Sequence, residues 1–173
     1  MDEIDVSPVI PASPGWLMRV AIAHLARYPA SAAHLETVLA RRIVMKGFAR
    51  EGSAELIRQT IERLKELQFL NDDAFAEARL ATLRRRGAST AMAKARLADK
   101  GIDRETVERA MAGDETDERQ AAENYARRRR LGPHRVKDRA ERRERDIAAM
   151  ARAGFPIQIS KAVIDADPDE ERD

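Results

Sequence analysis

The chain has no cysteine among its 173 residues, so neither a disulfide framework nor a thiolate metal site is open to it. That absence fits a reducing compartment. Aromatic residues make up only 4% of the chain, which argues against a platform for stacking unpaired bases and favours helical layers packed through small apolar faces. No apolar run approaches the ~20 residues needed to span a bilayer. Asp2, Glu3 and Asp5 also give the N-terminus the wrong sign for a signal peptide. The expectation is a cytoplasmic protein that does not enter membranes.

Signatures of catalysis are missing too. Neither GxxxxGK[ST] nor GxGxxG occurs, so nucleotide binding has no support in the sequence. His24, His34 and His134 lie in separate segments without the spacing of metal ligands and read as helix-surface or helix-edge residues. No nucleophile stands at a spacing that suggests a partner base. The chain is therefore expected to be no enzyme, with no cofactor and no metal.

What the chain does have is charge, unevenly placed. Charged residues make up 36% of it, with 32 Lys and Arg against 30 Asp and Glu, for a net charge of +2. From Arg127 to Arg152 there are 11 basic against 4 acidic residues, a local +7, whereas Asp165 to Asp173 carries 6 acidic and 1 basic, a local −5. The basic stretch suits a polyanion or an acidic protein groove, and also suits a solvated helix face. Within it, Asp138 with Arg142 and Glu141 with Arg145 stand at i, i+4, which predicts helix-supporting ion pairs.

The stretch Gln68 to Asp103, QFLNDDAFAEARLATLRRRGASTAMAKARLADKGID, organises the rest. Leu70 and Phe75 flank Asn71, Asp72 and Asp73, the layout of a capped helix start with a hydrophobic staple. Asp72 and Asp73 are read as caps, since short polar side chains there accept from unpaired backbone N–H groups. Ala76, Leu80 and Leu83 form a buried stripe, with Glu77, Arg79 and Arg84 to Arg86 mostly off it. Gly87 predicts the end of that helix, and Ser89 caps a second one carrying Met92, Ala93 and Leu97, which stops at Gly101. Asp103 caps a third, with Ile102 and Val107 as its staple.

Looser copies flank this unit. Upstream, helices are predicted from Trp16 to Tyr28, after Ser31 through Ile43, and from Ser53 through Leu67, with a long connection from Arg41 to Gly52. Downstream, they are predicted from about Asp117 to Leu131, then through Val136, Ala140, Ile147 and Met150 to Gly154, and after Pro156. Ser31 with Leu35 and Leu39 echoes Ser89 with Ala93 and Leu97. Lys100–Gly101–Ile102 with Val107, Ala110 and Met111 likewise echoes Arg152–Ala153–Gly154–Phe155 with Ile159, Val163 and Ile164. The prediction is an all-α, elongated array of three tandem three-helix repeats. Its parts are a flexible leader over 1–15, repeats over 16–70, 71–113 and 114–166, and an acidic tail over 167–173.

The run LNDDAFAEARLATLRRRGAS followed by KARLADKGI, preceded by IERLKELQ and followed by ARAGFPIQISKAVID, resembles the RecX family of small bacterial regulators of the RecA recombinase. The resemblance covers about Trp16 to Ala166 and is most specific from Leu70 to Ile102. It implies a helical-repeat protein, a monomer when free, that binds the RecA–DNA filament and restrains its ATPase, strand-exchange and coprotease activities. Single-stranded DNA within or beside the filament is the second implied partner. Two features depart from the pattern: Ala153 stands where a basic residue usually precedes the glycine, and the first repeat carries the long connection. The candidate partner-binding residues are Arg84, Arg85, Arg86, Lys94, Arg127, Arg128, Arg129, Arg130, Arg135 and Lys137. Arg84, Arg85 and Arg86 are expected to be exposed at a helix C-terminus, where cations meet the negative end of the dipole. The alternative function is a stand-alone helical DNA-binding module acting through Arg127 to Arg152, which predicts steeply salt-dependent binding to bare DNA.

Overall fold

Short polar residues set the helix starts in the computed structural model, which describes residues 10–167. Ser13, Ser31, Ser89 and Asp103 each accept from a backbone N–H three residues on, and so begin helices α1 (Pro14–Leu25), α2 (Ala32–Met45), α5 (Thr90–Ala98) and α6 (Arg104–Ala112). Asn71 does the same for α4 (Asp72–Arg85), its Oδ1 lying 3.0 Å from the Ala74 N–H. The remaining helices are α3 (Ser53–Glu66), α7 (Glu118–Arg129), α8 (Arg139–Arg152) and α9 (Ile157–Asp165), with a 3₁₀ turn at Gly132–His134. Every regular element among the described residues is helical.

Contacts divide the chain into two compact units. The first holds the described residues up to 75 together with 100–102, and the second holds 76–99 with 103–167. In the first, α1, α2 and α3 pack on one another around Leu17, Ala21, Leu35, Leu39, Ile43, Ile61 and Leu64. In the second, α7, α8 and α9 enclose Ala121, Tyr125, Ile147, Met150, Phe155, Val163 and Ile164, with Met92 of α5 packed against them. Fully burying each large aliphatic side chain contributes roughly 1.5–3 kcal/mol. The apolar stripes of the sequence thus become two cores.

Within each unit a similar clamp closes. In the first, the Ser31 hydroxyl donates to the Lys100 carbonyl while Asp72 Oδ1 accepts the Ala32 N–H at 2.8 Å. In the second, the Ser89 hydroxyl donates to the Ala153 carbonyl at 2.6 Å while Glu118 accepts the Thr90 N–H at 3.1 Å. Each carbonyl precedes a left-handed glycine, Gly101 or Gly154, with no room for a side chain. A Cβ on Gly101 would lie 2.4 Å from the Ala33 Cβ, and one on Gly154 would lie 2.7 Å from Ser89 Oγ. The echo between Ser31 and Ser89 is therefore a repeated contact.

Several boundaries differ from expectation. Residues 1–9 of the expected leader and 168–173 of the expected tail lie outside the described residues, but 10–15 are placed. Ser13 caps α1 at Pro14, Ala12 is buried, and the Ile10 carbonyl accepts the Ala49 N–H at 3.1 Å. Helix α1 stops at Leu25, leaving Tyr28 exposed and off the stripe. The connection assigned to Arg41 through Gly52 is mostly helix at its start, since α2 runs to Met45, and Phe48 beyond it packs edge-on against Trp16 at 4.8 Å. Helix α3 does begin at Ser53, whose hydroxyl donates back to the Arg50 carbonyl, but it ends at Glu66. Asp72 caps α2 rather than its own helix. Helix α7 ends at Arg129 with Arg130 left-handed, and α8 begins only at Arg139, so Val136 is 91% exposed instead of on a core stripe.

Candidate partner-binding surface

The ten predicted cations separate by environment. Arg84 is the largest correction. It was expected to be exposed, but it follows Leu83 into the interior and is 1% exposed. Its Nε donates to Asp114 Oδ2 at 2.7 Å and its Nη1 to Glu118 Oε2 at 2.7 Å, and it also bonds the carbonyls of Ala88 and Thr116. These bonds use four of its five N–H donors, and the buried side chain is not available to a partner. Arg85 and Arg86 are exposed at the end of α4.

Gly87, directly after them, touches α7. With φ of 80° it takes the left-handed conformation, and a Cβ there would fall 2.4 Å from the Tyr125 backbone nitrogen. The chain can make this approach only as glycine. Arg127, Arg128, Arg129 and Arg130 begin two residues beyond Tyr125, and all four are exposed. Arg86 adjoins Gly87, about 4 Å along the backbone, and Arg128 lies one short step along the helix from Tyr125, about 4.5 Å of rise. The close packing of Gly87 on Tyr125 therefore brings two cation groups, more than 40 residues apart in sequence, to neighbouring positions.

Arg135 is engaged internally. Its Nε and Nη2 make a two-pronged contact with Asp146 at 3.0 and 2.6 Å, and the Gly132 N–H donates to the same carboxylate at 3.0 Å. Burial alone would raise the Asp146 pKa, but the hydrogen bonds from Arg135 and Gly132 outweigh it and hold the carboxyl below its ordinary value. Lys94 pairs with Glu108 at 3.0 Å across α5 and α6 while staying partly exposed, and Lys137 is exposed. On α8 the pairs expected for Arg142 and Arg145 give way to others: Arg143 grips Asp165 at 2.6 and 2.7 Å and also meets Glu144. Exposed pairs of this kind contribute little to stability.

The histidines are partly drawn together. The rings of His24 and His34 lie 6.1 Å apart, and burial, helped by His34 and Arg42, lowers the His24 pKa. Among the described residues no group of three or more His, Cys, Asp or Glu side chains could hold a metal ion. Nor is any helix among them long and apolar enough to cross a membrane.

No sequence pattern announces Asp114, Thr116, Glu118 and Asp146, the residues that hold the arginines. Asp114 and Glu118, in a loop and at a helix start, carry no periodic signal, and Asp146 in the middle of α8 stands among arginines on a charged helix. One clue was available for Glu118, because it falls next to a cap position just as Asp72 does.

The arrangement defines an all-helical protein with exposed arginines gathered at helix ends and with the buried Arg84 and Asp146 each matched to opposite charge. A sequence model described as "RecX, second three-helix domain" matches residues 71–111. The chain is 38% identical to the "Regulatory protein RecX" of Myxococcus xanthus over 164 residues, which covers 90% of this chain and 88% of that protein. It is 33% identical to the "Regulatory protein RecX" of Agrobacterium fabrum over 108 residues, covering 62% and 58% respectively. No solved structure matches. The chain belongs to the RecX family of regulatory proteins.

Proposed function

We propose that this protein binds the RecA filament assembled on single-stranded DNA and lowers its ATPase, strand-exchange and coprotease activities, in the cytoplasm and as a monomer when free. Membership of the family is the observation that carries this reading. The contact surface is formed by Arg85, Arg86, Arg127, Arg128, Arg129, Arg130 and Lys137, while Arg84 and Arg135 serve the fold. Lys94 contributes where the partner displaces Glu108. Three repeats, over 16–70, 71–113 and 114–166, allow contact with more than one RecA protomer, so that modest individual contacts combine. Preference for one filament state over another then shifts the filament between states.

The pairing of Arg135 with Asp146 and of Arg143 with Asp165 weakens the alternative of a stand-alone DNA-binding module, because fewer cations of Arg127 to Arg152 are left to neutralise phosphates on bare DNA. Binding by anisotropy to labelled single-stranded DNA, bare and RecA-coated, at one salt concentration tests the choice. Tighter binding to the coated strand is expected. Equal or tighter binding to bare DNA would favour the module.

A further inference from the structure

The Arg84 network is larger than a fold of this kind requires for closure. One guanidinium joins the end of α4, the Ala88 carbonyl before α5, the Asp114 and Thr116 connection, and Glu118 in the first turn of α7. Glu118 in turn accepts from the Thr90 N–H and its hydroxyl. The first unit closes its corresponding clamp without any such cation. Counting from Ser31 and Ser89, the position of Arg84 falls on Ala26, an exposed residue with no charge. The shared clamp of serine, carboxylate and glycine is therefore sufficient for closure, and Arg84 adds something else.

Stability is a poor candidate for that addition. A buried ion triad replaced by neutral groups of similar volume often leaves a protein as stable as before, because burying the charges is costly. What a guanidinium supplies is direction: its planar fork fixes the angle between the groups it joins, where an apolar plug would only fill space. The groups joined here are the helix that ends in Arg85, with Arg86 directly after it, and the helix that ends in Arg127, Arg128 and Arg129.

We propose that Arg84 is a positioning residue, a latch from α4 to Asp114 and Glu118 that holds the two exposed arginine groups as one surface for a polyanionic partner. The inference rests on the proposed role of those arginines in filament binding. It makes Arg84 matter to binding without touching the partner.

The test uses the full chain, whose lack of cysteine permits two single labels. Spin labels at Ala78→Cys on α4 and Gln120→Cys on α7, both exposed, report the spread of distances between the helices. The variant combines Arg84→Met, Asp114→Asn and Glu118→Gln, so that no buried charge is left unpaired. It is expected to keep its helical circular dichroism and a melting temperature within a few degrees of the parent, with a broadened distance distribution. Affinity for RecA-coated single-stranded DNA should fall about tenfold, and its dependence on salt should flatten although every exposed cation remains, because fewer engage together. An unchanged narrow distribution overturns the latch whatever the affinity does. A broadened distribution with unchanged affinity and salt slope overturns the positioning role. If the parent itself fails to bind the coated strand, the reading of the surface fails, and the distances still decide whether Arg84 holds the two helices. Arg84→Lys separates direction from charge: the charge is kept and the fork is lost, so an intermediate broadening is expected, and parent-like distances would refute the directional argument.

Discussion

Replacing Asp146 by alanine removes the carboxylate that holds the middle of α8 to the turn before that helix. Asp146 is 3% exposed and accepts from the Gly132 N–H and twice from Arg135. Its loss leaves a buried N–H without a partner, which costs about 1–3 kcal/mol. It also leaves Arg135 uncompensated. Removing one partner of a fully buried ion pair costs about 3–5 kcal/mol, but the Arg135 side chain is 26% exposed and can turn to solvent. A loss of about 2–4 kcal/mol at pH 7 is therefore expected for Asp146→Ala.

The pH dependence gives the sharper check. The folded-state pKa of Asp146 is depressed, so its contribution is fully present above the unfolded value of about 4 and is lost as pH falls through the folded value. Urea unfolding of parent and variant at pH 7, 5, 4 and 3 should show the gap in stability holding down to pH 5 and narrowing below pH 4. A gap that stays constant through that range, or one below about 0.5 kcal/mol at pH 7, the usual range for a surface substitution, would refute the reasoning.

Other outcomes follow from the same structure. Gly87→Ala forces a Cβ against the Tyr125 backbone at a left-handed residue, and should destabilise by at least the roughly 1–2 kcal/mol of that conformation, measured by thermal melting; a neutral result would place the close approach elsewhere. Ser89→Ala removes an N-cap and the bond to the Ala153 carbonyl together, with an expected loss of about 1–2 kcal/mol, by the same assay. Paired reversal of Arg128→Glu and Arg129→Glu should weaken binding to RecA-coated DNA at least tenfold with intact circular dichroism, and unchanged affinity would remove those residues from the surface. His24 favours its neutral form in the folded state, so stability of the first unit should decline as pH falls below about 6.5. Substituting His24 by Gln should abolish that part of the decline, as read from unfolding at pH 7.5 and 5.5.

Helix starts and apolar stripes could be read from the sequence because both depend on neighbours a few residues apart. Ser31, Ser89, Asn71 and Asp103 act through an N–H three residues on, and Leu80 or Leu97 declares its face by helical spacing. Even the clamp was half visible, as the echo of Ser31 in Ser89. The fate of the charges was not. Arg84, Arg85 and Arg86 look alike in sequence, and only Asp114 and Glu118, some 30 residues on, distinguish the first from the others. Arg135 is separated from the exposed cations around it by Asp146 in the same way. Ion pairing across helices carries no periodic signature, so a count of cations overstated the free ones. The neighbouring placement of Arg86 and Arg128 was hidden for a similar reason: it depends on the close approach of Gly87 to Tyr125, which no local pattern announces.

The reading of the protein as a RecA regulator stands most directly on one measurement, the single-stranded DNA-dependent ATPase of RecA with this protein titrated in. Inhibition is expected at well below one molecule per RecA protomer, at a salt concentration where binding to bare DNA is weak. ATPase activity unchanged up to one molecule per protomer would contradict it.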